Sequence, residues 1–146
     1  MIADFFIRAF TESDYFDIEQ LWIETNLTNT KRGDTLQTIQ NTLNCGGTFF
    51  VIEHLPTKTA IGSSWITNDG RRLYLHHFGI KPEFQGKKLA KELLETSLNF
   101  AKNKNLQIKL EVDKNSKKAI NLYQNYGFKY LGDYIVFIIR NYDIEK

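Results

Sequence analysis

The segment from Ile80 to Ala90 holds the residues whose chemistry is easiest to interpret, because a strand-like stretch ends there and a helical pattern begins after a short turn. The first N–H groups of a helix have no partner within it, and with the helix dipole they favour an anion such as a pyrophosphate. Gly86 would allow such a ligand to approach the backbone closely. The turn matches neither the dinucleotide-binding nor the P-loop motif. It therefore predicts a phosphate-binding site, and an ordinary turn before an amphipathic helix is the alternative.

Two adjacent histidines, His76 and His77, supply groups that titrate near neutral pH. Both lie in the strand predicted over Leu73–Ile80, where successive side chains point to opposite faces. We therefore expect the two rings to lie on opposite faces, with His76 on the face of Phe78. A zinc site is not expected, because the chain has only three histidines and the third lies in a distant hairpin.

The single cysteine, Cys45, excludes an intrachain disulfide and a cysteine-rich metal site. As an acyl-accepting nucleophile it would need a nearby base, and no His or Asp stands near it in the sequence. A free thiol in a loop is the simpler interpretation.

The elements that hold these groups follow from hydrophobic periodicity and from turn residues. Two helices are predicted before residue 47, capped by Thr11–Asp14 and by Asp34, a third begins near Leu89, and a fourth covers Lys117–Tyr126. Their order with the strands is β-α-α-β-β-β-α-β-α-β-β, which predicts an α/β sandwich with a mixed sheet. The predicted strands are Phe5–Phe10, Thr48–Leu55, Ala60–Thr67, Leu73–Ile80, Leu106–Val112, Phe128–Tyr130 and Tyr134–Arg140.

The bulk properties of the chain are those of an ordinary globular domain. Its 146 residues suit one domain over 1–146, and its formal charge of +2 is too small to predict a nucleic-acid or membrane partner. The N-terminus does not resemble a signal peptide, and no stretch approaches the roughly 20 apolar residues of a transmembrane helix. We therefore expect a soluble, cytoplasmic protein.

The segment Ile80–Ala90 resembles motif A of the GNAT (GCN5-related) N-acetyltransferases, V-x-P-x-x-[Q/R]-G-x-G-[I/L]-[G/A], except that Lys88 replaces the second glycine. The resemblance implies that the cofactor is acetyl-coenzyme A. It also implies that the main chains of Phe78 and Ile80 hydrogen-bond the pantetheine arm, like an added strand. The pyrophosphate would then be held by the backbone N–H groups of Gln85, Gly86, Lys87, Lys88, Leu89 and Ala90.

A second segment, Asn115–Phe128, resembles the family's C-terminal motif N-x-x-A-x-x-L-Y-x-x-x-G-F. The position of the motif's asparagine is Ser116, with Asn115 one residue earlier, and either could hydrogen-bond the cofactor. The resemblance implies that Tyr123 lies near the coenzyme A sulfur and protonates the leaving thiolate. That transfer is reasonably matched, since a phenol titrates near ~10 and a thiol near ~8.5.

The attacking amine must first lose a proton, because an alkylamine titrates near ~10.4. The strand Tyr74–Ile80 resembles that of the diamine acetyltransferases, in which a glutamate thought to act as the base occupies the place of His76. His76 is therefore the predicted base, with His77 or a water molecule as alternatives.

The family builds its acceptor pocket from the first helices and the middle strands, which makes Trp22, Trp65 and His77 candidate substrate-binding residues. Packing in the core is the alternative for both tryptophans. Three acidic residues could attract a cationic amine or could be ordinary surface charges: Glu24, Asp34 and Asp69.

The resemblance covers nearly the whole chain and implies the GNAT fold, a mixed, mostly antiparallel sheet flanked by helices. It implies direct transfer of an acetyl group from acetyl-CoA to a primary amine, most simply a small molecule, without a metal. A protein or peptide amine, and a non-catalytic CoA-binding module, are the alternatives. Dimers are common in the family, which leaves a homodimer open.

Overall fold

A computed structural model describes residues 2–27 and 33–143, and the chain divides into two compact units, Met1–Glu111 and Val112–Lys146. The strands are β1 (Phe5–Ala9), β2 (Thr48–His54), β3 (Thr59–Asn68), β4 (Arg72–Ile80) and β5 (Gln107–Leu110). The helices are α1 (Tyr15–Glu24), α2 (Leu36–Asn44), α3 (Leu89–Lys104) and α4 (Lys117–Asn125). Short 3-10 helices cover Glu12–Asp14 and Pro82–Phe84.

The first unit is built on a five-stranded sheet in the order β1-β2-β3-β4-β5. The first three pairings are antiparallel, and β4 pairs with β5 in parallel after the crossover through α3. The prediction of a mixed, mostly antiparallel sheet flanked by helices is confirmed.

Helices cover both faces of this sheet. On one face, α1 and α2 bury Leu21, Trp22 and Ile39 against strand residues that include Trp65. On the other face, α3 buries Leu89 and Leu93 against side chains of β2, β3 and β4. Each large apolar side chain removed from water in this way contributes roughly 1.5–3 kcal/mol.

The start of α1 is fastened to the first strand by charged groups. Asp14 accepts a hydrogen bond from the backbone N–H of Thr11 at 2.8 Å and two from the Arg8 guanidinium at 2.7 and 2.8 Å. Arg8 also donates to Glu53 on β2 at 2.8 Å. The predicted capping residues therefore do begin this helix, after one 3-10 turn.

The predicted cap of the second helix, Asp34, is wrong by one residue. Thr35 has the extended backbone of an N-cap, and its hydroxyl accepts the N–H of Thr38 at 3.2 Å. The carboxylate of Asp34 bonds the His77 ring instead, so it is occupied across the fold rather than along its own helix.

The second unit contains α4 followed by extended chain. The strands predicted over Phe128–Tyr130 and Tyr134–Arg140 are wrong, because neither segment is paired as a strand in the described residues. From Tyr134 to Ile139 the side chains are 66–85% exposed, although all six are apolar or aromatic. A high β propensity expresses a fit to a pleated, half-buried surface rather than an intrinsic preference of the backbone. Among the described helices, none is long and apolar enough to cross a membrane.

Candidate active site

The turn between β4 and α3 has the backbone expected of an anion-binding loop. Gly86 has a φ of +82°, and a Cβ built there would meet nothing within 4 Å. Lys88, which replaces the motif's second glycine, has a φ of +64° and so keeps the left-handed conformation that glycine favours. The side chains of Lys87 and Lys88 are exposed, and both bring positive charge to the turn.

Among the N–H groups predicted to bind the pyrophosphate, that of Gln85 has an acceptor within the turn. The backbone N–H of Gln85 donates to the Pro82 carbonyl at 3.3 Å, and its side chain donates to the Ile80 carbonyl at 2.9 Å, so Gln85 closes the turn. Within the described residues, no acceptor is found for the backbone N–H groups from Gly86 to Ala90. Open space, a row of such N–H groups and two exposed lysines fit a pyrophosphate.

A bulge interrupts β4 just before this turn. Trp65 of β3 pairs with His76 and Ser63 pairs with Gly79, so two steps along β3 match three steps along β4. The left-handed φ of +48° at His77 marks the extra residue. The Ser63 hydroxyl, fully buried, donates to the His77 carbonyl at 2.6 Å and stabilises the bulge.

The bulge places both histidine rings beside Trp65. The ring centroids of His76 and His77 lie 5.7 and 5.6 Å from that of Trp65. The expectation that the two histidines occupy opposite faces is therefore wrong, because strict alternation holds only in a regular strand.

His77 is held by a carboxylate and an aromatic ring. Its Nε2 atom lies 2.8 Å from Asp34 Oδ2, and its ring meets Trp22 edge to face at 4.6 Å. The side chains of His77 and Asp34 are 18% and 12% exposed. Asp34 lies just before α2, Trp22 lies on α1 and His77 lies on β4. Their contacts therefore bring three separate elements of the chain together at one place.

His76 has a different environment. Its Nε2 atom lies 2.8 Å from the Thr67 hydroxyl, and its ring stacks on Tyr74 at 4.0 Å. Burial, and to a smaller extent the neighbouring His77, lowers the pKa of His76 to about 4. Tyr74 is itself perturbed: burial and a hydrogen bond to Glu111 raise its pKa. His76 is therefore a neutral ring at physiological pH.

The two tryptophans form an aromatic wall behind the histidines. Trp22 is fully buried and Trp65 is 5% exposed, and their rings stack at 5.9 Å. Both indole N–H groups are used, since Trp22 donates to Ser63 at 3.0 Å and Trp65 to Thr42 at 2.9 Å. Both rings thus belong to the core and also border the histidine pair.

Other sequence candidates lie away from the histidines or have structural partners. Glu24 pairs with Lys81 at 3.7 Å, and Asp69 accepts the backbone N–H groups of the β3–β4 turn at 2.7 and 2.8 Å. Cys45 is exposed at the end of α2. Ser63 and Thr67, which hold the bulge and His76, carry no sequence signal that would have identified them. In the described part of the chain, no group of three or more His, Cys, Asp or Glu side chains is placed to hold a metal.

The second unit carries the remaining candidates. Ser116 is the N-cap residue of α4, and both Ser116 and Asn115 are exposed. Tyr123 is 8% exposed and meets Phe128 at 5.6 Å. Burial raises the pKa of Tyr123 to about 12.

Comparison with known proteins agrees with this geometry. The model of the acetyltransferase (GNAT) family matches residues 7–128. Human N-acetyltransferase 8B is 32% identical over 93 residues, which are 60% of this chain but only 41% of that protein. The chain therefore spans about two fifths of this relative's length.

Two crystal structures illustrate the likeness of the fold. An acetyltransferase from Streptococcus agalactiae has a TM-score of 0.77 at 21% identity, with 94% of this chain and 92% of the other covered. A GNAT family acetyltransferase from Elizabethkingia anophelis, with acetyl-CoA bound, has a TM-score of 0.64 at 18% identity, with 88% and 78% covered. With the family match over most of its length, an open turn before α3 and a bulged β4, this chain belongs to the GNAT family of acetyltransferases.

Proposed function

We propose that the protein is an acetyl-CoA-dependent N-acetyltransferase whose acceptor is the primary amine of a small molecule. The observation that carries the proposal is the turn from Gly86 to Ala90, with open space at Gly86 and a row of N–H groups at the start of α3. Family membership supports the same activity.

The residues proposed to hold the cofactor contribute backbone groups and polar side chains. The N–H groups from Gly86 to Ala90 bind the pyrophosphate, and Lys87 and Lys88 add positive charge. The main chains of Phe78 and Ile80 bind the pantetheine arm, and Asn115 or Ser116 provides a further hydrogen bond. Acetyl-CoA supplies the acetyl group as a thioester that an amine can attack directly.

The acceptor is proposed to bind beside the histidines. Asp34 places a carboxylate next to His77, and the largely buried rings of Trp22 and Trp65 lie behind that histidine, a combination that suits a cationic amine with a short apolar body. One of the two histidines takes the amine proton. Tyr123 remains the proposed acid for the thiolate, although its pKa of about 12 makes it a weaker acid than a free phenol.

A homodimer in the cytoplasm is the proposed state of the protein. The support is the apolar run from Tyr134 to Ile139, which is exposed along its whole length. Exposed apolar patches of this kind commonly mark interaction surfaces.

Cofactor binding can be tested with a matched pair of glycine variants. Gly70 resembles Gly86, with a φ of +87° and open space around a built Cβ, but lies in the β3–β4 turn. Titration calorimetry with acetyl-CoA should give micromolar binding by the wild type and by Gly70→Trp, and none by Gly86→Trp. Equal binding by the two variants, or no binding by the wild type, would contradict the proposal that this turn binds acetyl-CoA.

The acceptor class can be tested by measuring the free thiol of coenzyme A that each turnover releases. Small alkylamines, polyamines and amino sugars form one panel, and peptides with a lysine or a free N-terminus form another. Turnover confined to the peptides would show that the acceptor is a protein or peptide amine and not a small molecule. Acetyl-CoA binding without turnover in either panel would favour a non-catalytic module.

A further inference from the structure

We propose that His77 is the general base for the acceptor amine, and that Asp34 is a positioning residue that fixes the tautomer of its ring. This inference deepens the proposed function and rests on it.

The contact between His77 and Asp34 defines which ring nitrogen carries the proton. An ionised carboxylate only accepts hydrogen bonds, so at 2.8 Å from Asp34 Oδ2 the Nε2 atom must be the donor. The neutral ring therefore keeps its lone pair on Nδ1. Among the described residues no hydrogen bond to Nδ1 is found, and the side chain as a whole is 18% exposed.

The position of His77 on the bulge indicates a role other than packing. A left-handed backbone is unfavourable for a residue with a Cβ, and His77 adopts it in the middle of a strand. The buried Ser63 hydroxyl and the edge of Trp22 maintain this conformation. Strain that the surroundings maintain is typical of functional sites. The next residue is Phe78, whose main chain is proposed to bind the pantetheine arm.

His76 is less suited to the same role. Its Nε2 atom is engaged by Thr67 and its ring is stacked on Tyr74. With a pKa of about 4, the His76 ring is a weak base and would remove a proton from an alkylammonium poorly. We therefore assign His76 to the wall of the acceptor site.

The proton transfer balances without any other reactant. The N–H bond of the ammonium breaks, its proton bonds to His77 Nδ1, and the electron pair stays on the amine nitrogen. That nitrogen bonds the acetyl carbon as the carbon–sulfur bond breaks, and it then loses a second proton to give the neutral amide. The leaving thiolate gains a proton from Tyr123, which the second amine proton replaces, so one proton is released in net. His77 releases the proton to water before the next turnover.

Asparagine variants of the three histidines test the assignment. Asparagine tolerates a left-handed backbone and cannot act as a base. With the best alkylamine from the panel at pH 7, His77→Asn should lower kcat about 100-fold, a typical general-base contribution. Its affinity for acetyl-CoA should match that of the wild type. His76→Asn should lose less than tenfold, and His54→Asn, in the β2–β3 hairpin, should match the wild type.

The pH dependence separates a base from a structural residue. The titratable groups recorded beside His77 are Asp34 and His76. At pH 9 more of the amine is already neutral, so the deficit of His77→Asn should shrink at least fivefold. A loss that is equal at both pH values, a rise in KM alone, or a larger loss in His76→Asn would overturn the assignment.

The positioning role of Asp34 can be tested by determining which nitrogen of the His77 ring carries the proton. Nitrogen NMR of the histidines should show Nδ1 of His77 unprotonated in the neutral wild type, and a mixture of tautomers in Asp34→Asn with about tenfold lower kcat. A wild-type ring protonated at Nδ1 would refute the positioning role. A wild type that acetylates no amine would defeat the proposed function and the base role together, whereas the NMR result would still decide whether Asp34 fixes the tautomer.

Discussion

Lys88 is an exposed residue with a φ of +64° at the entrance of α3. Its Cβ makes this backbone costly, whereas glycine adopts it freely. Lys88→Gly should therefore raise the free energy of unfolding by about 1 kcal/mol, measured by urea denaturation. Lys87→Gly is the matched control, because Lys87 does not have a positive φ and its replacement should leave stability equal or lower. Destabilisation by Lys88→Gly would mean that the side chain contributes more than its conformation costs.

His76 should make the stability of the fold depend on pH. Its pKa in the folded state is about 4, against 6.5 for the free side chain, so the unfolded chain binds the proton more tightly. The stabilisation is complete above pH 6.5 and is lost as the pH falls towards 4. Between pH 7 and pH 5 this group should remove about 2 kcal/mol of unfolding free energy.

The matched measurement uses His76→Gln, which cannot titrate but can still hydrogen-bond Thr67. Urea denaturation at both pH values should give a smaller decline for the variant than for the wild type. Parallel declines would show that His76 is hydrated enough to keep its ordinary pKa.

At the scale of elements, Arg8 joins β1, β2 and the start of α1 through Asp14 and Glu53. Burial alone would raise the pKa of Asp14, but hydrogen bonds from Arg8 and Thr11 outweigh it and lower the pKa. Arg8→Met should cost about 2 kcal/mol at pH 7, between the values for exposed and buried pairs. The stabilisation from the ionised pair is present above pH ~4 and disappears as Asp14 is protonated. The stability gap between variant and wild type should therefore narrow in acid, and a gap that is constant with pH would assign the effect to packing.

The elements that the sequence predicted well are those whose periodicity is local. The stripe of Leu89, Leu93 and Phe100 identified α3, and alternation with turn residues identified β2, β3 and β4. The bulge at His77 could not be predicted in this way, because it is a mismatch in length between two paired strands. The contact between Asp34 and His77, 43 positions apart, depends on that mismatch and was equally hidden.

At the scale of the whole molecule, the C-terminal run from Tyr134 to Ile139 was predicted to be a strand but does not form one. Its β-branched and aromatic residues read as a strand, yet a strand exists only where another lies beside it. The residue types of a segment indicate that it could form a strand. Whether a partner strand lies beside it depends on other parts of the chain.

The same run should govern self-association. Ile135 and Phe137 are 77% and 85% exposed, so replacing both by lysine removes apolar surface and adds two charges. Light scattering after gel filtration should give a dimer for the wild type and a monomer for the double variant. Asp133→Lys changes the net charge equally without removing apolar surface, and should remain dimeric. A wild type that is monomeric at 100 μM would contradict the proposed homodimer.

The stacked pair of Trp22 and Trp65 has an optical consequence. These are the only tryptophans in the chain, and the His77 ring lies 4.6 and 5.6 Å from them. Their fluorescence therefore originates entirely beside the histidine that we assign as the base, and a charged imidazole or a seated amine would alter its intensity. The chain carries an intrinsic, label-free reporter of this site, with which acceptors could be ranked by light emission before any of them is turned over.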